Sequence, residues 1–224
     1  MLKLVGKEAP RSADVVKVAG GARKPEGILA GQLFSGAMPD DLRPYSDKEL
    51  AELARGAARF IAQRKPGGAA VRLFDMKTGA GSEVTVIEIA NDDMPFLVDS
   101  TLALLTEHGF EIRMVLHPIL SVRRTAAGKL EEISPERRDG DGFIRESLIH
   151  IHVGVIRDAA EKESLRKEFL AVLADVRTAV LDWRSMQARL LQVITDYQSN
   201  PPPVPVAELT ETMAFLQWLL DNHF

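Results

Sequence analysis

The spacing of apolar residues changes period several times along the chain. Leu50, Leu53, Ala57 and Ile61 recur at helical spacing. Just before them, Ser46-Asp47-Lys48-Glu49 is a capping box, in which the hydroxyl accepts a backbone N–H and the carboxylate reaches back to the cap. Lys65-Pro66-Gly67-Gly68 ends that helix, and residues 71–76 read as a short strand. The run 83–90 is rich in β-branched residues and predicts a firmer strand, with Thr85, Ile87 and Ile89 on one face. Asn91-Asp92-Asp93-Met94-Pro95 then turns into a helix that stops at Gly109. An Asp is expected to cap it, with Pro95 in its first turn, where the missing N–H has no partner anyway. A long strand follows over 110–124, bent at Pro118, with a hairpin return over 129–133 and a charged loop over 134–142. Residues 147–156 alternate strictly: Ile149, Ile151, Val153 and Val155 share one face, His150 and His152 the other.

Two helices are expected next, over 159–180 with Asp158 as cap and from Trp183 to about Tyr197. Asn200-Pro201-Pro202-Pro203 is a stiff break before a last amphipathic helix over 206–224. That helix ends with neither a Gly cap nor a polar tail, as expected of a piece of a longer chain. Residues 1–40 have weak periodicity and read as an extended or partly disordered arm with a short helix near 28–34. The expected organisation is therefore an arm (1–40), a helix–strand lead-in (41–80), a central domain (81–182) and C-terminal helices (183–224). Strand, helix, strand, hairpin, strand, helix is the order of a split βαβ, or ferredoxin-like, sandwich with an antiparallel sheet. It lacks an obvious fourth strand after the second helix, and 71–76 is the candidate for that edge.

Composition changes this picture little. The 224 residues are 46% hydrophobic and 27% charged, those of an ordinary globular chain that can bury a core unaided. With no cysteine, disulfides, thiolate metal sites and Cys nucleophiles are excluded. A net charge of -4 offers no basic footprint for nucleic acid or an anionic membrane. Apolar windows are too short to span a bilayer, and no signal peptide opens the chain. A cytoplasmic setting is expected.

Asn91-Asp92-Asp93-Met94-Pro95-Phe96-Leu97-Val98-Asp99-Ser100, with His117-Pro118-Ile119-Leu120-Ser121-Val122-Arg123-Arg124 downstream, resembles the N-terminal region of the large bacterial NAD-specific glutamate dehydrogenases. Leu33-Phe34, Pro44-Tyr45-Ser46, Arg64-Lys65-Pro66-Gly67, Glu146-Ser147-Leu148-Ile149-His150-Ile151 and the segment from Phe215 to Phe224 agree in order and spacing. The resemblance implies an ACT-like α+β domain that senses amino acids or mediates assembly, as a homo-oligomer and with downstream domains of the same chain. It further implies that the NAD-dependent oxidation of glutamate, and the NAD itself, belong to sequence outside these residues. The effector or interface loop it implies comprises Asn91, Asp92, Asp93, Met94, Pro95, Phe96, Asp99 and Ser100. ACT ligand loops commonly carry Gly where Phe96 stands, and a Phe there is expected to crowd an amino-acid effector, which shifts weight toward assembly.

Other chemistry is thin. Gly79-Ala80-Gly81 lacks the third glycine of a dinucleotide fingerprint and precedes a strand instead of following one, so it reads as a turn; no catalytic site and no cofactor is expected in this chain. Asp92 and Asp93 are better explained as caps than as an acid/base pair. Neither Ser100 nor Ser147 lies in a nucleophile elbow. His150 and His152, with His117 on another strand, could in principle ligate zinc, but the His pair fits better on a polar sheet face near Arg113 and Arg123. The competing reading is a stand-alone small-molecule-binding protein or a His-metal-dependent one.

Overall fold

Ser46 caps its helix as the sequence requires. Its Oγ accepts from the Glu49 N–H at 3.3 Å, and Glu49 Oε2 accepts from the Ser46 N–H at 2.7 Å. The computed structural model describes residues 12–221. In order, these form α1 (Ser12–Ala19), α2 (Pro25–Phe34), α3 (Pro39–Leu42), α4 (Asp47–Ile61), β1 (Ala70–Lys77), β2 (Glu83–Asp92), α5 (Leu97–Glu107), β3 (Ile112–Leu116), β4 (Ile119–Arg124), β5 (Leu130–Ile133), β6 (Ile144–Gly154), α6 (Ala159–Ser199) and α7 (Val206–Leu220). They divide into two compact units, one ending at Ala174 and the other beginning at Asp175.

The first unit is built on one antiparallel sheet in the order β1-β2-β6-β4-β5, with β3 also paired to β6. Pro118 interrupts the expected long strand, so β3 and β4 lie along successive stretches of the same β6 edge. β1 pairs with β2 over its whole length, Ala70 opposite Ala90 and Lys77 opposite Glu83. The missing fourth strand of the ferredoxin-like order is thus supplied from before the domain, at the edge the sequence suggested.

Both faces of this sheet are covered. Ile87, Ile89, Ile149, Ile151 and Val153 are buried on one face, as are Leu97 and Leu105 of α5 and Leu165, Phe169 and Leu173 of α6. Asp158 Oδ1 accepts from Ala160 N at 2.8 Å at the start of α6, as expected of a cap. Val84, Val86, Ala90, Leu148, Met114 and Leu116 belong to the second face and form one core with Val15 and Ala19 of α1, Leu29, Leu33 and Phe34 of α2, and Leu50, Leu53, Ala57 and Ile61 of α4. This corrects the expected arm for residues 12–40, whose apolar side chains form a helical layer; residues 1–11 lie outside the described region. Glycines and alanines blurred the period there, because small residues pack closely without making a bulky stripe.

Two further expectations change. The two helices expected over 159–197 are a single 41-residue α6, since no Gly or Pro falls at 181–183 to stop it. In the second unit, α7 ends at Leu220 with none of its residues buried; Val206, Phe215 and Trp218 are exposed, and the last two rings stack at 6.1 Å. Residues 222–224 of the expected helix are outside the described region.

Candidate functional site

The segment implied as a loop site divides into a pinned half and an open half. Asn91 is buried at the end of β2. Asp92 accepts from Arg64 Nη2 at 2.6 Å, and Asp93 lies 2.6 Å from Arg145 Nη2. Neither carboxylate caps α5, which has no side-chain cap at all, so the capping expectation is corrected. Arginines on neighbouring elements win because a charged fork bonds a carboxylate more strongly than a lone backbone N–H. Pro95 and Phe96 form the turn, so Pro95 lies before the helix and outside its first turn. Phe96 adopts a left-handed φ of 69° and is 62% exposed, and its carbonyl accepts from Ser100 N at 3.0 Å. A non-glycine residue held there costs on the order of 1–3 kcal/mol. The ring lies outward. Asp99 is exposed and Ser100 half-buried in the first turn of α5.

The imidazoles are placed differently from the expectation. His150 and His152 have zero exposure, on the sheet face that α1, α2 and α4 cover. They lie in a continuous chain of polar side chains. Arg72 Nε donates to Glu88 Oε2 at 2.6 Å. Glu88 Oε1 is 3.0 Å from His150 Nδ1, His150 Nε2 is 2.8 Å from His152 Nε2, and His152 Nδ1 is 2.5 Å from the Tyr45 hydroxyl. The donors can be ordered from one end. A carboxylate that already receives Arg72 accepts from His150 Nδ1–H, which makes His150 Nε2 an acceptor. His152 Nε2–H therefore donates to His150, and the Tyr45 hydroxyl donates to His152 Nδ1. This ordering gives every ring nitrogen of the two imidazoles one partner. Burial, reinforced by His150, pushes His152 down to about 2, and burial pushes the Tyr45 hydroxyl up to about 12.

The 2.8 Å between ring nitrogens is a direct hydrogen bond, leaving no room for an ion between them; zinc ligands at about 2.0–2.1 Å from the metal would stand farther apart. His117 stays apart, its Nε2 2.7 Å from Ser147 Oγ. Among the described residues, no group of three His, Asp or Glu is arranged to hold a metal ion.

A second buried cluster joins Glu146 to Arg64 (2.6 Å) and to Arg124 (2.6 and 2.7 Å). Arg124 also donates to the carbonyls of Ile61 and Gly128, and Arg64 to that of Gly68. This cluster ties the end of α4 to β2, β4 and β6.

Residues 29–169 match the family described as glutamate dehydrogenase, ACT1 domain. The chain belongs to this family. It is 34% identical over 200 residues to an NAD-specific glutamate dehydrogenase of Pseudomonas aeruginosa, covering 88% of this chain and 12% of that protein. A second NAD-specific glutamate dehydrogenase, from Halomonas elongata, is also 34% identical over 200 residues, covering 86% of this chain and 12% of its own. The chain thus spans about an eighth of the length of these relatives. The ACT1 region contains Glu88, His150, His152, Glu146 and the whole Asn91-to-Ser100 segment. No helix of the described residues is long and apolar enough to cross a membrane.

Tyr45, Arg72 and Glu88 are members of the chain that sequence reasoning missed. The available signal was Glu88 itself, a lone carboxylate inside the apolar run Val86-Ile87-Glu88-Ile89-Ala90. A charge at that position in a strand covered on both faces requires a partner.

Buried His152 predicts a pH dependence. His152 takes up its proton only near pH 2 in the fold, and at the ordinary pKa near 6.5 once unfolded. The unfolded state therefore binds more protons between those values, so stability is full above about pH 6.5 and falls as pH drops below it. One such group removes about 1.4 kcal/mol per pH unit, roughly 3 kcal/mol by pH 4.5. His117, also lowered by burial, acts in the same direction. Urea midpoints measured from pH 7.5 to 4.5 should show this slope, and His152→Gln should flatten it. An equal slope in that variant refutes the assignment.

Proposed function

We propose that this chain is a non-catalytic regulatory and assembly region of an NAD-dependent glutamate dehydrogenase. In this reading, the oxidative deamination of L-glutamate to 2-oxoglutarate, and the NAD it uses, belong to other segments of a longer protein. The observation that carries the reading is the match of residues 29–169 to the ACT1 region of this family, in a chain that spans 12% of relatives named NAD-specific glutamate dehydrogenase. The chemistry of the unit supports it: His150, His152, Glu88 and Glu146 bond to neighbouring side chains inside the core. Assembly is supported by α7, whose exposed Val206, Phe215 and Trp218 suit a protein partner, either further segments of the same polypeptide or another copy. The outward Phe96 ring is a second apolar contact of that kind.

The test has two arms. Purified chain given L-glutamate and NAD should form no NADH above the buffer rate, and turnover by a homogeneous sample would refute the non-catalytic reading. A full-length protein lacking residues 29–169 should change either its native oligomeric state or the response of its rate to amino acids. If neither changes, the regulatory and assembly reading is wrong.

A further inference from the structure

We propose that the groove between α4 and the edge strand β1 is a binding site for a small carboxylate anion, held by Arg72. The groove has a volume of about 310 Å³; Leu53, Phe74 and Met76 give it an apolar lining, Gly56 bares the helix backbone there, and Arg59 and Arg72 supply its cations. Arg72 is set in place before any ligand arrives. Its guanidinium carbon lies 4.9 Å from the ring centroids of both Phe60 and Phe74; Nε donates to Glu88 Oε2 at 2.6 Å, and Nη2 lies 2.5 Å from the same oxygen as an ion pair without a hydrogen bond of its own. Those contacts fix the plane of the fork and consume one edge of it. Nη1 makes no hydrogen bond among the described residues, and the side chain is one-third exposed, the most open in the chain Tyr45–His152–His150–Glu88–Arg72.

The acids at the rim do not compete for it. Glu49 is held by Ser46 at the helix cap, and Glu52 by Arg55 at 2.8 Å. Gly56 keeps the helix close to the guanidinium, since a Cβ there would stand 3.3 Å from Arg72 Nη2. A planar, stacked arginine with a free donor is suited to a carboxylate, and the apolar lining to a short carbon body. A carboxylate at Nη1 draws the guanidinium away from Glu88. Glu88 is the terminal acceptor of the ordered donor chain, so occupancy of the groove is read at His150, His152 and Tyr45, beneath the helical layer.

The site rests on the regulatory reading above, and the two fail separately: the groove is tested by binding to this chain, the regulatory role by the behaviour of the full-length protein. The chain is titrated with L-glutamate, 2-oxoglutarate and inorganic phosphate at constant ionic strength, by calorimetry and by nitrogen NMR of the imidazoles. One or both carboxylates should bind saturably and shift the ring-nitrogen signals of His150 and His152, with phosphate weaker. Arg72→Lys, which keeps the charge and loses the fork, and Arg59→Glu, at an exposed rim position where Arg59 lies 3.5 Å from Glu52, should each weaken binding by roughly ten-fold. No saturable binding of either carboxylate, binding unchanged in the folded Arg59→Glu variant, or phosphate binding as tightly as the carboxylates overturns the proposal.

Discussion

Glu146→Ala should destabilise the first unit by about 3–5 kcal/mol, the usual cost of stripping the partner from a buried ion pair. The Glu146 side chain is 2% exposed and faces Arg64 and Arg124, exposed 1% and 3%. Alanine leaves two guanidinium groups where water cannot reach. Arg64 keeps Asp92 and the Gly68 carbonyl, and Arg124 keeps only the carbonyls of Ile61 and Gly128. The surroundings cannot easily relax to admit water. Gly128 holds a φ of +84°, and a Cβ on it would lie 2.0 Å from the Arg64 carbonyl, so the turn is clamped against the residue it serves. A loss of 3–5 kcal/mol is a large share of the roughly 5–15 kcal/mol available to a folded domain. Urea denaturation should show a much lower midpoint, with Glu146→Gln intermediate because it keeps the shape and part of the bonding. A loss below about 1 kcal/mol would mean that the cluster is hydrated and the ion pairs weak.

Much of this fold is legible in the sequence where a local rule has one solution. Ser46 with Glu49 starts α4, Pro118 divides β3 from β4, and the alternation through Ile149, Ile151 and Val153 names one buried face of β6. The edge position of β1 follows from the need to close a sheet that lacked its last strand. What escapes is the second face. His150 and His152 occupy alternate positions in β6, and an alternating polar pair reads as solvated unless something covers it. The cover comes from α1, from α2, whose Gly27, Ala30 and Gly31 hide the helical period, and from α4, which was visible but had no assigned place. The pairing of Glu88 with His150 depends on the register of β2 and β6, and the bond from Tyr45 to His152 spans 107 positions in sequence. No local pattern contains either. The same limit explains Asp92 and Asp93: beside a helix start they read as caps, and only the sheet brings Arg64 and Arg145 to them.

His150→Ala should be among the most damaging single changes in the chain, with a loss of about 3–5 kcal/mol. Three terms act together. The Glu88 oxygen at 3.0 Å loses its donor, the His152 N–H at 2.8 Å loses its acceptor, and an imidazole-sized void opens under α4. Glu88, His150 and His152 all have zero exposure, so bulk water does not replace what is lost. Exposed histidines on a polar face would cost no more than about 0.5 kcal/mol each, so the size of the effect separates the two placements. The chain's direction gives a second comparison. Tyr45→Phe removes the hydroxyl that donates to His152 Nδ1, leaving that imidazole acceptor without its donor, and should cost roughly 1–3 kcal/mol. Substituting Glu88, His150 and His152 together by leucine, with Tyr45→Phe, removes donors and acceptors alike and leaves Arg72 at the partly open groove. That combination should recover much of the stability lost in His150→Ala, because a buried polar chain costs most when it is broken and little when it is absent. Thermal and urea midpoints of the three variants decide it. If His150→Ala and Tyr45→Phe both lie within about 0.5 kcal/mol of the parent chain, the buried chain does not exist in solution.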